Sequence, residues 1–496
     1  MNRENVLNSG DLETDIVVVG GGGTGVTAAA AAAEKGAKVI LLEKRNVFGG
    51  TSAMAGGIFA AHSPVQKRLM IKASCDQLFK IAMEYNHWKA DPRIVRAFVN
   101  KSGDTVRWLE QKGLKFGWIP PMYPGQEPRA LHWIESEHKG IGGRGAALIK
   151  MLVDFCKEKG VQLLTKTPAK RIITDHNGRV SAVLAESEGK EIRMNTKSVI
   201  IGTGGYGGNK ELMSKYCSFY NENMVCSGIP NMGDGLMMAT EIGAGTEGLG
   251  VCLLGAPAVR ARLLGSIVSE PTMLLMNNKG ERFCDENILS HFEKGNPLSR
   301  QPGNICYALF DKTIIQNILG EGLQRPGWLL DRPVIYFQPE IDPAELENEI
   351  MSQADNGCVI TSNSWDKIAD WVGAAPDVLE KTIEEYNAYC DRGQDELFAK
   401  DWKYLLPLRN SPYYAVKCIL GFHGTIGGIR INHRMEVLNQ EGNPIPGLYA
   451  GGTDTGGWFG DTYPGTHLPG IAFGFAVNSG RIAGENAYEF LLKIKY

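Results

Sequence analysis

Cysteine pairs of the kind that bind redox metals or form an active disulfide are missing from this sequence. The ten cysteines are scattered, and none stands in a CxxC, CxxCH or iron–sulfur spacing. The histidines also lack the spacing of metal ligands. We therefore expect no metal site, no haem and no iron–sulfur relay within the chain, and we expect reduced thiols.

Long apolar runs and strongly charged runs are missing as well. No basic run interleaved with aromatic residues occurs, and the net charge of −3 is slightly acidic, which argues against nucleic acid as a partner. The first residues are polar and lack the basic start and apolar core of a secretion signal. The most apolar run, residues 16–33, is interrupted by glycines. These features predict a cytoplasmic protein with no membrane span.

A strand, a glycine turn and a helix are indicated near the start of the chain. The β-branched run Ile16–Val19 leads into glycines, of which Gly20, Gly22 and Gly25 fit the spacing GxGxxG, and an alanine-rich segment follows. A second apolar run ends in Glu43, whose carboxylate can accept both hydroxyls of a ribose. In such a unit a diphosphate approaches bare backbone at the positive end of the helix. The pattern predicts dinucleotide binding.

Glycine pairs continue after this unit. Gly49–Gly50 and Gly56–Gly57 flank Thr51 and Ser52, which offers bare backbone and hydroxyl donors to a flat cofactor. A second GxGxxG spacing begins at Gly202, but no acid-ended strand follows it at the required distance. A nicotinamide site is therefore disfavoured there.

With these residues the sequence resembles the succinate dehydrogenase/fumarate reductase flavoprotein family, which binds FAD. The stretches Lys197–Asn209, Gly233–Ala244 and Ile445–Ala487 are similar to the family's second crossing over the cofactor, the helix after it and the closing flavin segment. The flavin disulfide reductases are disfavoured, because they need a redox cysteine pair after the first βαβ unit.

The resemblance implies an α/β fold in which a Rossmann-type FAD-binding domain carries an inserted α+β capping domain. The FAD-binding domain would be discontinuous, residues 14–254 and 419–496, and the capping domain would comprise residues 255–418. Within the latter, the spacing of Val378, Ile383 and Tyr386 predicts an amphipathic helix.

The resemblance also implies that FAD is held by the glycine-rich stretches and a few residues near them. The cofactor-binding residues would be Gly20, Gly22, Gly23, Thr24, Gly25, Glu43, Lys44, Gly49, Gly50, Thr51, Ser52, Gly56, Gly57, Ala169, Thr203, Gly204, Gly205, Asp234, Gly452, Asp454, Gly470 and Ile471. Relatives that attach FAD covalently through histidine carry that histidine at the position of Gly50, so we expect non-covalent FAD.

Three positions at which fumarate reductases handle their dicarboxylate differ here. By the resemblance, Ser290 stands at the proton-donating arginine, Gly424 at the second of two paired histidines, and Tyr463 at the arginine of the closing segment. A carboxylate would lose its bidentate partner without a guanidinium, so a fumarate substrate is disfavoured. Tyr463 instead begins a YPG stretch similar to that of the 3-ketosteroid dehydrogenases, in which a tyrosine holds a ketone oxygen, although His467 stands where they have glycine.

The candidate catalytic residues are titratable groups that the resemblance places at the pocket. They are Tyr463, His467, His291, His423 and Tyr123. Tyr463 is the expected polariser of a carbonyl, and the proton donor is expected among Tyr463 and the three histidines. For His291 and His423 the alternative is an ordinary surface or core histidine.

The sequence thus predicts an FAD-dependent oxidoreductase, either an ene-reductase or a dehydrogenase. It would transfer hydride between flavin N5 and a carbon–carbon bond next to a carbonyl of a neutral, apolar small molecule, with 3-ketosteroids among the candidates. An external partner would donate or accept the electrons. Two alternatives stay open: a fumarate reductase-like enzyme for an unsaturated carboxylic acid, and a non-catalytic flavin electron-transfer subunit.

Release of the flavin tests the non-covalent attachment. Acid precipitation of the purified holoprotein should leave FAD in the supernatant, because denaturation removes every non-covalent contact. The measurement is the absorbance spectrum of supernatant and washed pellet, and yellow colour that stays with the pellet would contradict the prediction.

Overall fold

The structure of the chain is a computed structural model, which describes residues 11–121, 125–137, 143–288, 291–323 and 341–494, without the side chain of His291. The chain divides into two units. Unit 1 comprises Met1–Ser218, Gly228–Cys252 and Gly424–Tyr496, and unit 2 comprises Phe219–Ser227 and Leu253–His423. Of the described residues, no helix is both long enough and apolar enough to cross a membrane.

The strands are short, apart from one that runs along the sheet of unit 2. They are β1 (Leu12–Glu13), β2 (Ile16–Val19), β3 (Val39–Leu42), β4 (Gly57–Phe59), β5 (Leu131–Trp133), β6 (Gln162–Leu164), β7 (Ala169–Thr174), β8 (Val180–Ser187), β9 (Lys190–Asn195), β10 (Ser198–Ile201), β11 (Val225–Cys226), β12 (Thr246–Glu247), β13 (Cys252–Ala258), β14 (Leu274–Met276), β15 (Ile305–Asp311), β16 (Val359–Ser362), β17 (Tyr413–Thr425), β18 (Gly428–Ile429), β19 (Glu436–Leu438) and β20 (Pro444–Ala450).

The helices alternate with the strands through most of the chain. They are α1 (Gly23–Glu34), α2 (Pro64–Arg68), α3 (Cys75–Tyr85), α4 (Pro92–Gln111), α5 (Arg144–Glu158), α6 (Lys210–Tyr216), α7 (Asp234–Glu241), α8 (Arg262–Ile267), α9 (His291–Ser299), α10 (Lys312–Glu321), α11 (Pro343–Asp355), α12 (Trp365–Val372), α13 (Pro376–Arg392) and α14 (Ile471–Lys493).

The main sheet of unit 1 has the strand order β19-β20-β10-β2-β3-β6. Its neighbours pair in parallel except for β19 and β20, which are antiparallel. All four residues of β2 and all four of β3 are buried, as continuous apolar runs in a parallel sheet covered on both faces should be. The predicted strand, turn and helix at the start of the chain are therefore confirmed, and so is the α/β fold.

Helix α1 is buried because glycines in α14 let the backbones of the two helices come into direct contact. A Cβ placed on Gly480 would overlap the carbonyl oxygen of Thr24, and one placed on Gly484 would overlap that of Ala28. The two glycines are one helical turn apart and so lie on the same face of α14. Any larger side chain there would push the two helices apart.

The sheet of unit 2 is built around β17, which pairs antiparallel with β15 and β16 and parallel with β11. The β11 pairing joins residues 219–227 to unit 2, whereas the resemblance assigns them to the FAD-binding domain. The domain boundaries stay a prediction. The helix predicted from helical spacing is α13, and its buried face is formed by Leu379, Ile383 and Tyr386, with Val378 only half-buried.

A cluster of buried charges lies in unit 2. Arg282 pairs with Glu286 and Asp395, each at 2.9 Å, and the Lys400 Nζ lies 3.2 Å from the Glu286 carboxylate. Burial alone would raise the pKa of Glu286, but Lys400 and Arg282 hold it below its ordinary value. The two cations therefore stabilise Glu286 as a carboxylate, and the buried charges depend on one another.

Removal of one cation should test this dependence. Arg282→Met leaves two buried carboxylates without their guanidinium and should lower the free energy of unfolding by about 3–5 kcal/mol. Arg262→Met, which breaks the half-exposed pair with Glu345 in the same unit, is the control and should cost about 0–1 kcal/mol. Urea denaturation of both variants measures the difference, and equal losses would contradict the prediction.

Candidate active site

The turn between β2 and α1 is held by the carboxylate at the end of β3. Glu43 is 7% exposed, and its two oxygens accept backbone N–H bonds from Gly21 and Arg45, each at 2.8 Å. The carboxylate thus lies next to the glycine turn, where the sequence predicts a contact with the ribose.

The glycine turn leaves no space for a side chain at Gly20 or Gly25, whereas a Cβ on Gly22 would meet no atom closer than 3.9 Å. Gly20 has φ +101°, and a Cβ on Gly25 would overlap the carbonyl oxygen of Gly20. Helix α1 begins after Gly22 with no side-chain cap, and its first N–H, that of Gly23, donates to the Ser52 hydroxyl at 3.1 Å. The unpaired amides of a helix start attract a diphosphate.

The glycine pairs after β3 lie against this turn. Gly49 pairs with Gly22 in an isolated bridge, and its N–H donates to the Gly21 carbonyl at 2.8 Å. The Thr51 hydroxyl accepts the N–H of Ile229 at 3.2 Å. Further along, β4 begins at Gly57, and its Phe59 N–H donates to the carbonyl of Gly470 at 3.0 Å. Residues 49–59 therefore connect the start of α1 with the start of α14.

The second crossing and the closing segment meet at a buried carboxylate. Asp454 accepts hydrogen bonds from the Thr203 hydroxyl at 2.8 Å and the Gly204 N–H at 2.7 Å. The Thr203 hydroxyl also accepts the N–H of Gly235 at 3.0 Å. Burial raises the pKa of Asp454 to about 7, although these donors oppose the shift.

Other predicted cofactor residues of unit 1 contact one another or the residues of the glycine turn. Lys44 pairs with Asp234, the first residue of α7, at 2.6 Å. A Cβ on Gly452 would overlap the hydroxyl of Thr24, and one on Gly205 would overlap that of Thr425. Ala169 begins β7, two residues after Thr167, whose N–H donates to the Glu43 carbonyl at 2.9 Å. The structure brings these residues together, and their contacts with FAD stay a prediction.

Tyr463 lies at the first turn of α14. It is 6% exposed, and its hydroxyl is hydrogen bonded to the backbone of Ala472. Burial raises the pKa of Tyr463 to about 12, which keeps the phenol neutral at physiological pH. A buried tyrosine that keeps its proton can donate a hydrogen bond to a ligand oxygen.

The other candidate catalytic residues fall into two groups. His467 is in unit 1, exposed, with its ring 5.2 Å from that of Tyr85. His423 is in unit 2, where its Nδ1 lies 2.7 Å from the Ser227 hydroxyl, and burial lowers its pKa. The side chain of His291 and all of Tyr123 lie outside the described residues.

Several features of unit 1 fit a bound dinucleotide. The N-cap glycines of α1 and α14, Gly22 and Gly470, provide no side-chain cap, and Glu43 accepts an N–H from the turn between β2 and α1. The hydroxyl of Thr466, in the closing segment, is buried with no hydrogen-bond partner among the described residues. Such an orphaned group is expected to meet a polar partner supplied by a ligand.

The whole-chain comparison decides the family. A profile of the FAD binding domain family matches residues 15–466. The chain belongs to this family. Its cofactor is FAD, and it is an FAD-dependent oxidoreductase of the class that acts on C=C and CH–CH groups. The suspected family resemblance is thus confirmed.

Individual relatives extend over nearly the same length. A vinyl phenol reductase of Lactiplantibacillus plantarum is 32% identical over 497 residues, which cover 96% of this chain and 96% of that protein. The open conformation of a flavocytochrome c3 fumarate reductase matches with a TM-score of 0.73 and 26% identity over 99% of this chain and 80% of that chain. A 3-ketosteroid-delta4-(5alpha)-dehydrogenase from Rhodococcus jostii matches with a TM-score of 0.73 and 23% identity over 98% of both chains, which shows a shared fold.

Some residues of the site were not found from the sequence. Thr425 accepts the N–H of Tyr206 at 2.9 Å, and Ser479 accepts that of Gly452 at 2.9 Å. Asn231 would be overlapped by a Cβ on Gly204. These are lone polar residues outside the glycine motifs, so no local pattern marks them.

The buried carboxylate gives a pH prediction. Because the folded pKa of Asp454 is about 7 and its ordinary value is 3.8, the folded protein holds a proton that the unfolded chain has lost. The stabilisation is complete below the ordinary value and is lost as pH rises towards 7, by roughly 1.4 kcal/mol per pKa unit.

Asp454→Asn should remove this pH dependence, since the amide stays neutral. Unfolding free energies of the wild type and variant between pH 4 and 7 measure it, and Asp355→Asn, at the exposed last residue of α11, is the control that should retain it. Parallel pH curves for the wild type and Asp454→Asn would disprove the assignment.

Proposed function

We propose that the chain reduces a carbon–carbon double bond that is conjugated to an oxygen in a neutral, apolar small molecule, with vinyl phenols as the first substrate class and enones as the second. The observation that carries the proposal is Tyr463, a buried phenol that keeps its proton and lies at the first turn of α14. The full-length similarity to a vinyl phenol reductase supports the first class.

The surroundings of Tyr463 favour an uncharged substrate. Trp458, Phe459 and Tyr463 form an aromatic cluster, with Phe459 and Tyr463 edge to face at 5.5 Å. The stretch from Gly452 to Gly470 contains no lysine or arginine. A bound carboxylate would have no lysine or arginine of this stretch to pair with, whereas an aromatic ring or an alkene could pack against the aromatic side chains.

The chemistry of the two substrate classes is shared. Bound FAD supplies hydride when reduced. In an enone, hydride would add to the alkene carbon farther from the carbonyl, and the negative charge would move to the carbonyl oxygen as an enolate. In a vinyl phenol, the terminal vinyl carbon would take a proton as the phenol loses its own, which gives a quinone methide, and hydride would then add to the benzylic carbon so that the oxygen carries the charge as a phenolate. A hydrogen bond from the Tyr463 hydroxyl would stabilise that charge. In both classes one alkene carbon takes hydride and the other a proton, and the phenolate regains the proton that the phenol gave up, so the electrons and atoms of the reduction balance.

We assign the proton donor to His467 ahead of the remaining candidates. It lies four residues from Tyr463 on the same segment and is exposed, so it can exchange protons with solvent. His423 is a poorer acid donor, because burial lowers its pKa and leaves the ring neutral at physiological pH. An external electron donor is part of the proposal, as is the cytoplasmic location expected from the sequence.

A panel of acceptors tests the substrate class. The flavin of the holoprotein is reduced under anaerobic conditions, and its reoxidation is followed by absorbance after addition of 4-vinylphenol, styrene, a 3-keto-4-ene steroid or fumarate. We expect rapid reoxidation by 4-vinylphenol and none by styrene, which has the same alkene without the oxygen. Reoxidation by fumarate alone would favour the carboxylic acid reductase, and none by any compound would favour an electron-transfer subunit.

Tyr463→Phe tests the role of the hydroxyl. The variant should retain FAD and slow reoxidation by the neutral substrate roughly 100-fold, the usual effect of losing one donor to a developing oxyanion. An unchanged rate would remove Tyr463 from the mechanism. Phe459→Leu, which alters the same aromatic cluster but no hydroxyl, is the matched control.

A further inference from the structure

The segment 457–467, which carries Tyr463 and His467, is contacted by the turn that connects α3 and α4. This α3–α4 corner comprises residues 85–91, between the end of α3 and the start of α4. It belongs to unit 1, as the segment does. No glycine motif marks it, and the proposed function assigns it no role.

Asn86 makes the most complete contact between the two. It is 1% exposed, its Nδ2 donates to the carbonyl of Ala82 at 2.7 Å, and its Oδ1 accepts the N–H of Gly460 at 2.8 Å. A Cβ on Gly460 would lie 3.0 Å from the Asn86 carbonyl oxygen. The side chain therefore joins the last turn of α3 to the segment with both of its polar groups used.

Tyr85 contacts the two candidate catalytic residues directly. Its hydroxyl donates to the backbone carbonyl of Tyr463 at 3.4 Å. Its ring also lies against that of His467, with centroids 5.2 Å apart. Tyr85 thus contacts both the proposed polariser, Tyr463, and the proposed proton donor, His467.

The far end of the corner makes two more contacts. The N–H of Asp91 donates to the Gly457 carbonyl at 2.7 Å. Lys89 pairs with Asp461, but both side chains are more than half exposed, so this pair should contribute little. The corner therefore contacts the segment near its start, in its middle and near its end.

The backbone of the corner is strained between Asn86 and Lys89, two of the residues that contact the segment. His87 and Trp88 have φ angles of 48° and 57°, in the left-handed region that non-glycine residues seldom adopt. The Trp88 ring lies edge-on to Phe79 with centroids 6.3 Å apart, which helps to hold the conformation. Strain of this kind persists where surrounding contacts impose it, and it is concentrated at functional sites.

We propose that the α3–α4 corner positions Tyr463 for hydrogen bonding to the substrate oxygen, with Asn86 and Tyr85 as the positioning residues. The inference rests on the role of Tyr463 under the proposed function. The segment contains Gly457, Gly460 and Gly465, whose backbone freedom would otherwise let it shift. A donor to a developing charge must be held within about 0.5 Å of its productive place, and the corner supplies that restraint.

A double-mutant comparison tests the proposal in the holoprotein. The variants are Asn86→Ala, Tyr85→Phe, Tyr463→Phe and the two doubles with Tyr463→Phe, each reoxidised by 4-vinylphenol. Asn86→Ala should slow reoxidation roughly tenfold or more, because small misplacements of a catalytic group are costly, and Tyr85→Phe should slow it less. The double Tyr85→Phe/Tyr463→Phe should be no slower than Tyr463→Phe alone, because Tyr85→Phe keeps the ring that lies against His467 and removes only the hydroxyl that contacts Tyr463. The double Asn86→Ala/Tyr463→Phe should lose less than the product of the two single effects, because Asn86 also holds the segment that carries His467.

Controls separate positioning from stability. Ferricyanide accepts electrons without any substrate-oxygen contact, so its rate should be the same in all variants, and Lys89→Met should leave both rates unchanged. Corner variants that slow ferricyanide equally, or that add fully to Tyr463→Phe, would overturn the proposal. If Asn86→Ala fails to hold FAD, Tyr85→Phe, which removes a single hydroxyl, decides the question.

The same data distinguish failure of the corner from failure of the proposed function. If Tyr463→Phe is slow but Asn86→Ala and Tyr85→Phe match the wild type, only the positioning proposal is wrong. If Tyr463→Phe itself reoxidises at the wild-type rate, the proposed function and the positioning proposal both fail.

Discussion

The close approach of α1 and α14 is the constraint on which unit 1 depends. Gly480 and Gly484 leave room for the backbone of Thr24 and Ala28, so the two helices pack without intervening side chains. The first turn of α1 is where a diphosphate is expected, and the first turn of α14 is where Tyr463 lies. Because the helices are fixed against each other, the distance between these two places is fixed too.

The prediction succeeded where a feature is local. The run Ile16–Val19, the glycines after it and the acid at Glu43 lie within one βαβ unit, and each has a backbone reason that can be read from neighbouring residues. Helix α13 was predicted for the same reason, from apolar spacing alone. Its buried face still differs by one residue, Leu379 in place of Val378, because adjacent apolar positions fit the helical spacing almost equally well.

Contacts between distant parts of the chain could not be predicted in this way. Asp454 and Thr203 were both expected near FAD, but their direct hydrogen bond joins positions 251 residues apart. The raised pKa of the carboxylate comes from burial, which this hydrogen bond opposes, and burial becomes visible only in the fold. Asn86 and Gly460 are 374 residues apart. A lone asparagine at the end of a helix is an ordinary cap in sequence, so its second partner becomes visible only in the fold.

The division of unit 1 among separated parts of the chain has a consequence for biosynthesis. Strands β2, β3 and β10 leave the ribosome early, but their partner β20 and the covering helix α14 belong to the last part, Gly424–Tyr496. Unit 2 lies wholly before that part. During translation unit 2 can complete its own sheet first, while the alanine-rich face of α1 waits uncovered. The arrival of α14 is therefore the step that completes the packing of α1 and gives the flavin site its final form.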